Sequence, residues 1–254
     1  MTASLEAIAA CAAVLDDAQL RAAPTAQLSQ SGALDIHDAY RVQHALLARR
    51  TARGERIVGL KLGFTSRAKA VQMGVHELIL GTLTDRMRIP DGGVFDPAAG
   101  IHPRIEPEVA YRMDRDGRIT AVAPALEIID SRYADFRFDL GDVVADNTSA
   151  CAFVVGEWRS RAEAGPLGNR AVRLEIDGRI VQTGSTAAIC GDPARARGAA
   201  ERLAGAHGFG SNAGGILLAG AATEAVPVPA RGVIEATVAG LGRVSVRTAE
   251  GAGR

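Results

Sequence analysis

Two periodicities divide the chain. Leu5, Ile8, Ala12 and Leu15 recur at steps of three and four, and this spacing predicts an amphipathic helix over residues 4–22. A polar connector, "QLSQSGAL", follows. Ala39, Val42 and Leu46 repeat the helical step over residues 36–53. Asp35 stands where a side chain can cap the first turn, and Gly54 where the helix can stop. The cations of "ARRTAR" gather where the helix macrodipole favours them. After Gly54 the pattern changes to short apolar runs of strand length, beginning with "RIVGLKLGF". Asp-Gly pairs at 91–92, 116–117 and 177–178 sit between such runs and predict hairpins. A short helix over "SRAKAVQMGV" and a longer one over "PARARGAAERLAGAHG" interrupt the β texture. The runs "GGILLAG", "AVPV" and "GVIEATVAGLGRVSVRT" close the chain as strands. There is no βαβ alternation and no internal repeat. The expectation is an α+β protein: a helical N-terminal segment, residues 1–55, then a β-rich domain, residues 56–254, built as a curved mixed sheet or roll.

Composition narrows the function classes. A hydrophobic fraction of 47% over 254 residues supports a substantial core. Lys+Arg and Asp+Glu are both 29, so net charge is zero, which argues against a nucleic-acid partner and against a polybasic membrane anchor. Cys11, Cys151 and Cys190 have no paired spacing and suggest free thiols in a reducing compartment. The N-terminus lacks the basic region of a signal peptide, and no apolar run approaches the roughly 18 residues of a membrane span. A cytoplasmic protein is expected. "GFGSNAGG" follows a helix and precedes a strand, the reverse of a dinucleotide fingerprint, and reads as a loop. No Walker A, GxSxG or HExxH motif is present. None of the five histidines shows ligand spacing; His102 is the one nearest the acidic pair described next and is a candidate to line a site.

The stretch "HPRIEPEVAY" puts Glu106 and Glu108 two residues apart in a strand-like run. Side chains at i and i+2 share a face, roughly 6–7 Å apart. On a solvated face the pair means little; facing a cavity, it needs a cation or a shared proton. Glu127, in "PALEIIDSRY", is a third carboxylate among apolar neighbours. Spacing alone leaves a solvated face and a hard-cation site, suited to Mg²⁺ or Mn²⁺, both open.

The stretches "GLKLGFTSRAKAVQMGV", "IHPRIEPEVAY", "PALEIIDSRYADFRFDL" and "VVADNTSA", taken together, resemble the 2-keto-4-pentenoate hydratase / 4-oxalocrotonate decarboxylase family of the fumarylacetoacetate-hydrolase-like superfamily. The resemblance runs in order from about residue 35 to residue 247. It implies a fumarylacetoacetate-hydrolase-like mixed β roll. It implies a divalent metal, Mg²⁺ or Mn²⁺, on Glu106, Glu108 and Glu127, an active-site Lys61, and Thr65, Ser66 and Arg67 near the substrate carboxylate. Members act on small 2-oxo acids, whose 1-carboxylate and 2-oxo oxygen can chelate a Lewis-acidic cation. Lys61 would add a cation near the enolate, or act as acid or base; a salt-bridged structural lysine is the plain alternative. A homo-oligomer, or an assembly with a sister hydratase, is implied as well.

Two features lean toward the decarboxylase branch, which removes the distal carboxylate of 2-oxohex-3-enedioate, rather than toward hydration of 2-hydroxypenta-2,4-dienoate. "EIIDSRYADFRFDL" is closer to the decarboxylase form. Ile79 stands where the hydratases carry an acidic residue; an Ile there cannot activate water and keeps the region dry. Asp192 and Ala219 depart from the family pattern, standing where His and Thr are common. The expected activity is therefore a metal-dependent lyase of aromatic catabolism, with the hydratase on the same scaffold as the alternative.

Overall fold

The computed structural model describes residues 3–32, 34–66, 78–210 and 214–249. Helix α1 spans Leu5–Arg21 and α2 spans Ile36–Ala52. Asp35 caps α2 as expected, its carboxylate accepting from Asp38 N at 2.8 Å. Ile8, Ala12 and Leu15 are buried on α1, but Leu5 is exposed; the inward stripe continues instead to Ala18.

The strands follow in chain order: β1 (Ile57–Gly63), β2 (Ile79–Thr84), β3 (Arg88–Ile89), β4 (Val94–Phe95), β5 (Arg104–Met113) and β6 (Ile119–Ile129). After helix α3 (Leu140–Ala145) come β7 (Ala150–Val155), β8 (Arg159–Ser160), the single-turn α4 (Arg161–Ala164), β9 (Ala171–Ile176) and β10 (Arg179–Ser185). Helix α5 (Ala196–His207) precedes β11 (Ile216–Ala221), β12 (Val226–Pro227), β13 (Gly232–Val238) and β14 (Gly242–Thr248). The helix expected over 66–75 falls almost wholly outside the described residues. Helix α3 was not expected: its six residues are too few to show a helical period.

The larger sheet runs β2-β1-β11-β5-β6-β7-β3, with β12 beside β5 and β8 beside β6. It is mixed, since β1 pairs β11 in parallel and β5 pairs β6 antiparallel. A second sheet runs β10-β9-β13-β14-β4. The Asp116-Gly117 and Asp177-Gly178 hairpins form as expected, joining β5 to β6 and β9 to β10. Asp91-Gly92 does not make a hairpin. Its flanking strands part to different sheets, β3 to β7 and β4 to β14, so the turn links the two layers.

Side-chain alternation along β5 and β6 divides the interior. Ile105, Leu126 and Ile128 pack with Leu174, Ile234 and Val246 of the second sheet. The helices pack on the larger sheet, where Ile8, Leu15, Tyr40 and Leu46 meet Leu60, Leu62 and Leu80. Helix α2 also grips β2 by its backbone. Leu80 N donates to Tyr40 Oη at 3.0 Å, and Gln43 Nε2 donates to Leu80 O at 3.0 Å. These bonds hold the start of β2, and with it Ile79, against the end of β1.

Candidate metal and substrate site

The site begins as a ladder position. Glu106 on β5 pairs directly with Glu127 on β6, and Glu108 follows two residues along. Opposed residues of paired strands share a face. The three buried carboxylates accordingly converge, one oxygen from each lying within 4.8 Å of the others.

A break in the neighbouring ladder completes this arrangement. The register of β11 against β5 shifts between Leu218 and Ala221, and after Ala221 opposite Glu108 the next pair is Val226 of β12 opposite Ile105. Pro107, with no N–H to give, sits in that interruption. The bulge turns the Gly220 N–H onto Glu108 Oε2 at 2.9 Å. Gly220 has φ +122°, and a Cβ there would lie 2.1 Å from Thr65 Oγ1. Only glycine meets both demands.

Lys61 reaches the cluster from β1. Its buried ammonium pairs with Glu127 Oε1 and donates to Thr148 O at 2.9 Å. That carbonyl is delivered by a left-handed turn, in which Asn147, Thr148 and Ser149 have φ of 49°, 55° and 54°. Such backbone costs an L-residue roughly 1–2 kcal/mol each. The Asn147 amide offsets part of this by bonding both backbone groups of Thr82: Nδ2 donates to Thr82 O at 2.9 Å, and Oδ1 accepts from Thr82 N at 2.8 Å. A buried Arg132–Asp146 ion pair anchors the turn from below, with Arg132 Nη1 donating to Asp130 O at 2.8 Å and Ala150 O at 3.1 Å. Burial pushes the Asp146 carboxyl up to about 6, against the pull of Arg132.

Electrostatics in the cluster are unresolved by protein groups alone. Burial raises the Glu108 carboxyl well above the usual range, and repulsion from Glu127 and Glu106 adds to the rise. Burial also raises Glu127, with Lys61 partly offsetting it and Glu106 reinforcing it. No donor among the described residues reaches Glu108 Oε1 or Glu127 Oε2. Buried, mutually repelling oxygens without donors fit a hard divalent cation.

Above the carboxylates lies a cavity of about 490 Å³. Lys61, Thr65, Ser66, Ile79 and Glu106 all line it. Arg67 lies outside the described residues. Ile79 is buried at the first position of β2; a Cβ at the facing Gly63 would come within 2.8 Å of its Cγ1. His102 stands one layer back, its ring 4.9 Å by centroid from Phe136, which does line the cavity. Thr148 and Ser149 line it as well, and their hydroxyls have no hydrogen-bond partner among the described residues. Arg104, Phe136 and Phe138 line it too, as do the carboxylates Asp135 and Glu224. Sequence reading passed over these residues, although "DNTSA" carried one usable signal, an Asn able to adopt left-handed backbone. Of the two departures from the family pattern, Ala219 is buried within β11, and Asp192 accepts from Ala194 N at 2.9 Å as a turn cap.

Fold and site together define a class: an enzyme-like cavity over a buried tri-carboxylate, on the mixed β scaffold of the fumarylacetoacetate-hydrolase-like superfamily. Within it, 4-oxalocrotonate decarboxylase of a Pseudomonas species is 45% identical over 245 residues, covering 92% of this chain and 95% of that protein. The 2-hydroxyhexa-2,4-dienoate hydratase of Comamonas testosteroni is 32% identical, covering 85% and 88%. The structure of 4-oxalocrotonate decarboxylase from Pseudomonas putida G7, complexed with magnesium and adipate, superposes with a TM-score of 0.91 at 37% identity, covering 97% and 99%. No protein-family model matches the chain. The chain belongs to the 2-keto-4-pentenoate hydratase / 4-oxalocrotonate decarboxylase family.

Proposed function

We propose that this protein is a metal-dependent carboxy-lyase. It removes CO₂ from 2-oxohex-3-enedioate or a close 2-oxo-enedioate and yields a 2-hydroxydienoate, a step in meta-cleavage catabolism of aromatic compounds. Glu106, Glu108 and Glu127 would hold Mg²⁺ or Mn²⁺, and the donorless oxygens of Glu108 and Glu127 support that assignment. When bound, the cation supplies Lewis-acid stabilisation of negative charge developing on the 2-oxo end of the substrate. Lys61, fixed between Thr148 O and Glu127, presents an ammonium where that charge arrives and can hold a proton there. Thr65, Ser66 and Arg67 would orient the 1-carboxylate. The bond that breaks joins C5 to the distal carboxylate; its electron pair moves through the carbon chain to the 2-oxo group.

The observation that carries this reading is Ile79. An apolar side chain fills the wall beside Lys61 and Gly63, and it offers no acid or base for activating water. A second reading, hydration of a 2-hydroxydienoate, is favoured by the partnerless Thr148 and Ser149 hydroxyls, which could hold a water in the cavity. Supplying 2-oxohex-3-enedioate and 2-hydroxypenta-2,4-dienoate separately with Mg²⁺, and following products by NMR, tests both. CO₂ loss outpacing water addition is expected; the reverse order overturns the decarboxylase assignment.

Every proposed site residue falls within residues 56–254, which supports reading that part as catalytic and residues 1–55 as its helical brace. Homo-oligomerisation, with or without a sister hydratase, belongs to this proposal and is read by sedimentation of the chain alone and mixed. Three free cysteines support a cytoplasmic location; no helix among the described residues is long and apolar enough to cross a membrane.

A further inference from the structure

Among the described residues Arg104 has no ion-pair partner, although Asp135 and Glu224 line the same cavity. Its Nη2 donates to Ala225 O at 3.2 Å, and its Cζ sits 5.7 Å from the centroid of the Phe136 ring. Its Nε is buried with no hydrogen-bond partner. No carboxylate among the described residues forms an ion pair with it, whereas the cavity's other described cation, Lys61, is already paired with Glu127. Leaving a part-buried guanidinium uncompensated is unfavourable unless a ligand supplies the charge.

Position states which charge. Arg104 and Glu106 are two residues apart on one strand and both line the cavity, so the guanidinium stem begins roughly 6–7 Å from the carboxylate cluster. The five carbon–carbon bonds of a six-carbon dicarboxylate, about 1.5 Å each, span a similar distance when extended. The Phe136 ring neighbours both the Arg104 guanidinium and the His102 ring. Asp130 in turn holds the chain at His102, its carboxylate accepting from Ile101 N and His102 N, both at 2.8 Å.

We propose that Arg104 is the recognition site for the distal carboxylate of a six-carbon dicarboxylate, with Phe136 and His102 as positioning residues that aim it. The inference rests on the proposed function for the identity of the ligand, and it adds what separates a dicarboxylate from a monocarboxylate. The carboxylate loses its charge as it leaves as CO₂, so Arg104 acts on ground-state binding, and its removal raises KM without lowering kcat. It is a specificity residue, and the electrons released at C5 travel away from it.

The test uses direct binding to the Mg²⁺-loaded protein. Adipate, a six-carbon dicarboxylate, and 2-oxopentanoate, a monocarboxylate carrying only the 2-oxo end, are titrated calorimetrically into wild type and Arg104→Met. The variant is expected to lose adipate affinity by roughly 10- to 100-fold, the range for a charged hydrogen bond, with 2-oxopentanoate affinity unchanged. Arg104→Lys, which keeps the charge but not the planar fork, is expected to fall between the two. With 2-oxohex-3-enedioate, Arg104→Met is expected to raise KM with kcat within about threefold. Equal loss of both ligands, loss of neither, or a fall in kcat at unchanged KM overturns the proposal. If Arg104→Met fails to fold, Phe136→Leu is titrated in its place: a severalfold loss of adipate alone supports the proposal, and any other pattern overturns it. Absence of CO₂ release with the adipate preference intact would count against the carboxy-lyase reading and leave the anion site standing.

Discussion

Replacing Glu108 by Gln separates the cost of the carboxylate cluster from its use. Glu108 is buried, is raised in pKa by burial and by two neighbouring carboxylates, and has one oxygen without a donor. Gln keeps the volume and can still accept from Gly220 N, which lies 2.9 Å from the other oxygen. Without metal, the variant loses a repulsion and is expected to be at least as stable as wild type, by up to about 1 kcal/mol. With metal the order reverses. Mg²⁺ at 100 times its Kd should stabilise wild type by about 2.7 kcal/mol. In a chain of this size that is roughly 5–10 °C in Tm. The variant should show little of this gain and no metal-dependent turnover. Thermal melts in chelator and in Mg²⁺, with CO₂ release measured in parallel, read all three quantities. An unchanged Mg²⁺ shift, or full turnover in chelator, would sink the assignment of Glu108 as a ligand. A large loss of stability in chelator would make Glu108 a structural acceptor for Gly220 instead.

The remaining expectations can be checked on the same preparation. In chelator, Glu108 and Glu127 retain protons in the folded state that the unfolded chain has released, because burial raises both. Metal-free stability is therefore fully present below the ordinary carboxylate range and falls as pH rises through the raised values, by up to about 1.4 kcal/mol per pH unit per group; Mg²⁺ should flatten that slope in urea titrations. Lys61→Met should lower kcat by roughly 100-fold or more, the scale of a lost acid–base or charge-stabilising group; wild-type kcat would reduce Lys61 to a partner of Glu127. Ile79→Asp should slow CO₂ release by about tenfold or more and admit some water addition, both visible by NMR. Gly220→Ala drives a methyl to within 2.1 Å of Thr65 Oγ1 and should cost roughly 1–3 kcal/mol in denaturant, together with weakened substrate binding.

The carboxylates were legible because a strand's period of two puts Glu106 and Glu108 on one face, and because Glu127 stood out as a charge in an apolar run. Helices α1 and α2 were legible from caps and spacing, although Leu5 obeyed the spacing and still faces solvent in the first turn of α1. What could not be read was pairing over distance. Nothing in "IPDGGVFDP" tells that its two flanks join different sheets, since a turn signal specifies a reversal and not a partner. Nothing in "RIEPEV" tells that Arg104 lacks an ion-pair partner among the described residues, since that depends on which acids the other strands bring near. Thr148 was hidden for a related reason. Its contribution is a backbone carbonyl, aimed by left-handed geometry that contacts with β1, β2 and the Arg132–Asp146 pair sustain.

That left-handed turn has a kinetic consequence. The Asn147 clamp on Thr82 spans 65 residues, and the Thr148 carbonyl meets Lys61 across 87. Asn147 alone favours the turn locally, so a refolding chain can form the β5–β6 hairpin and gather three glutamates before the turn closes over them. Contacts of such sequence separation form late, after the loop-closure entropy has been overcome. Refolding should therefore pass through a stage in which the β5–β6 hairpin has returned while Lys61 still lacks its seat. Recovery of turnover is then expected to lag the first recovery of the far-ultraviolet signal.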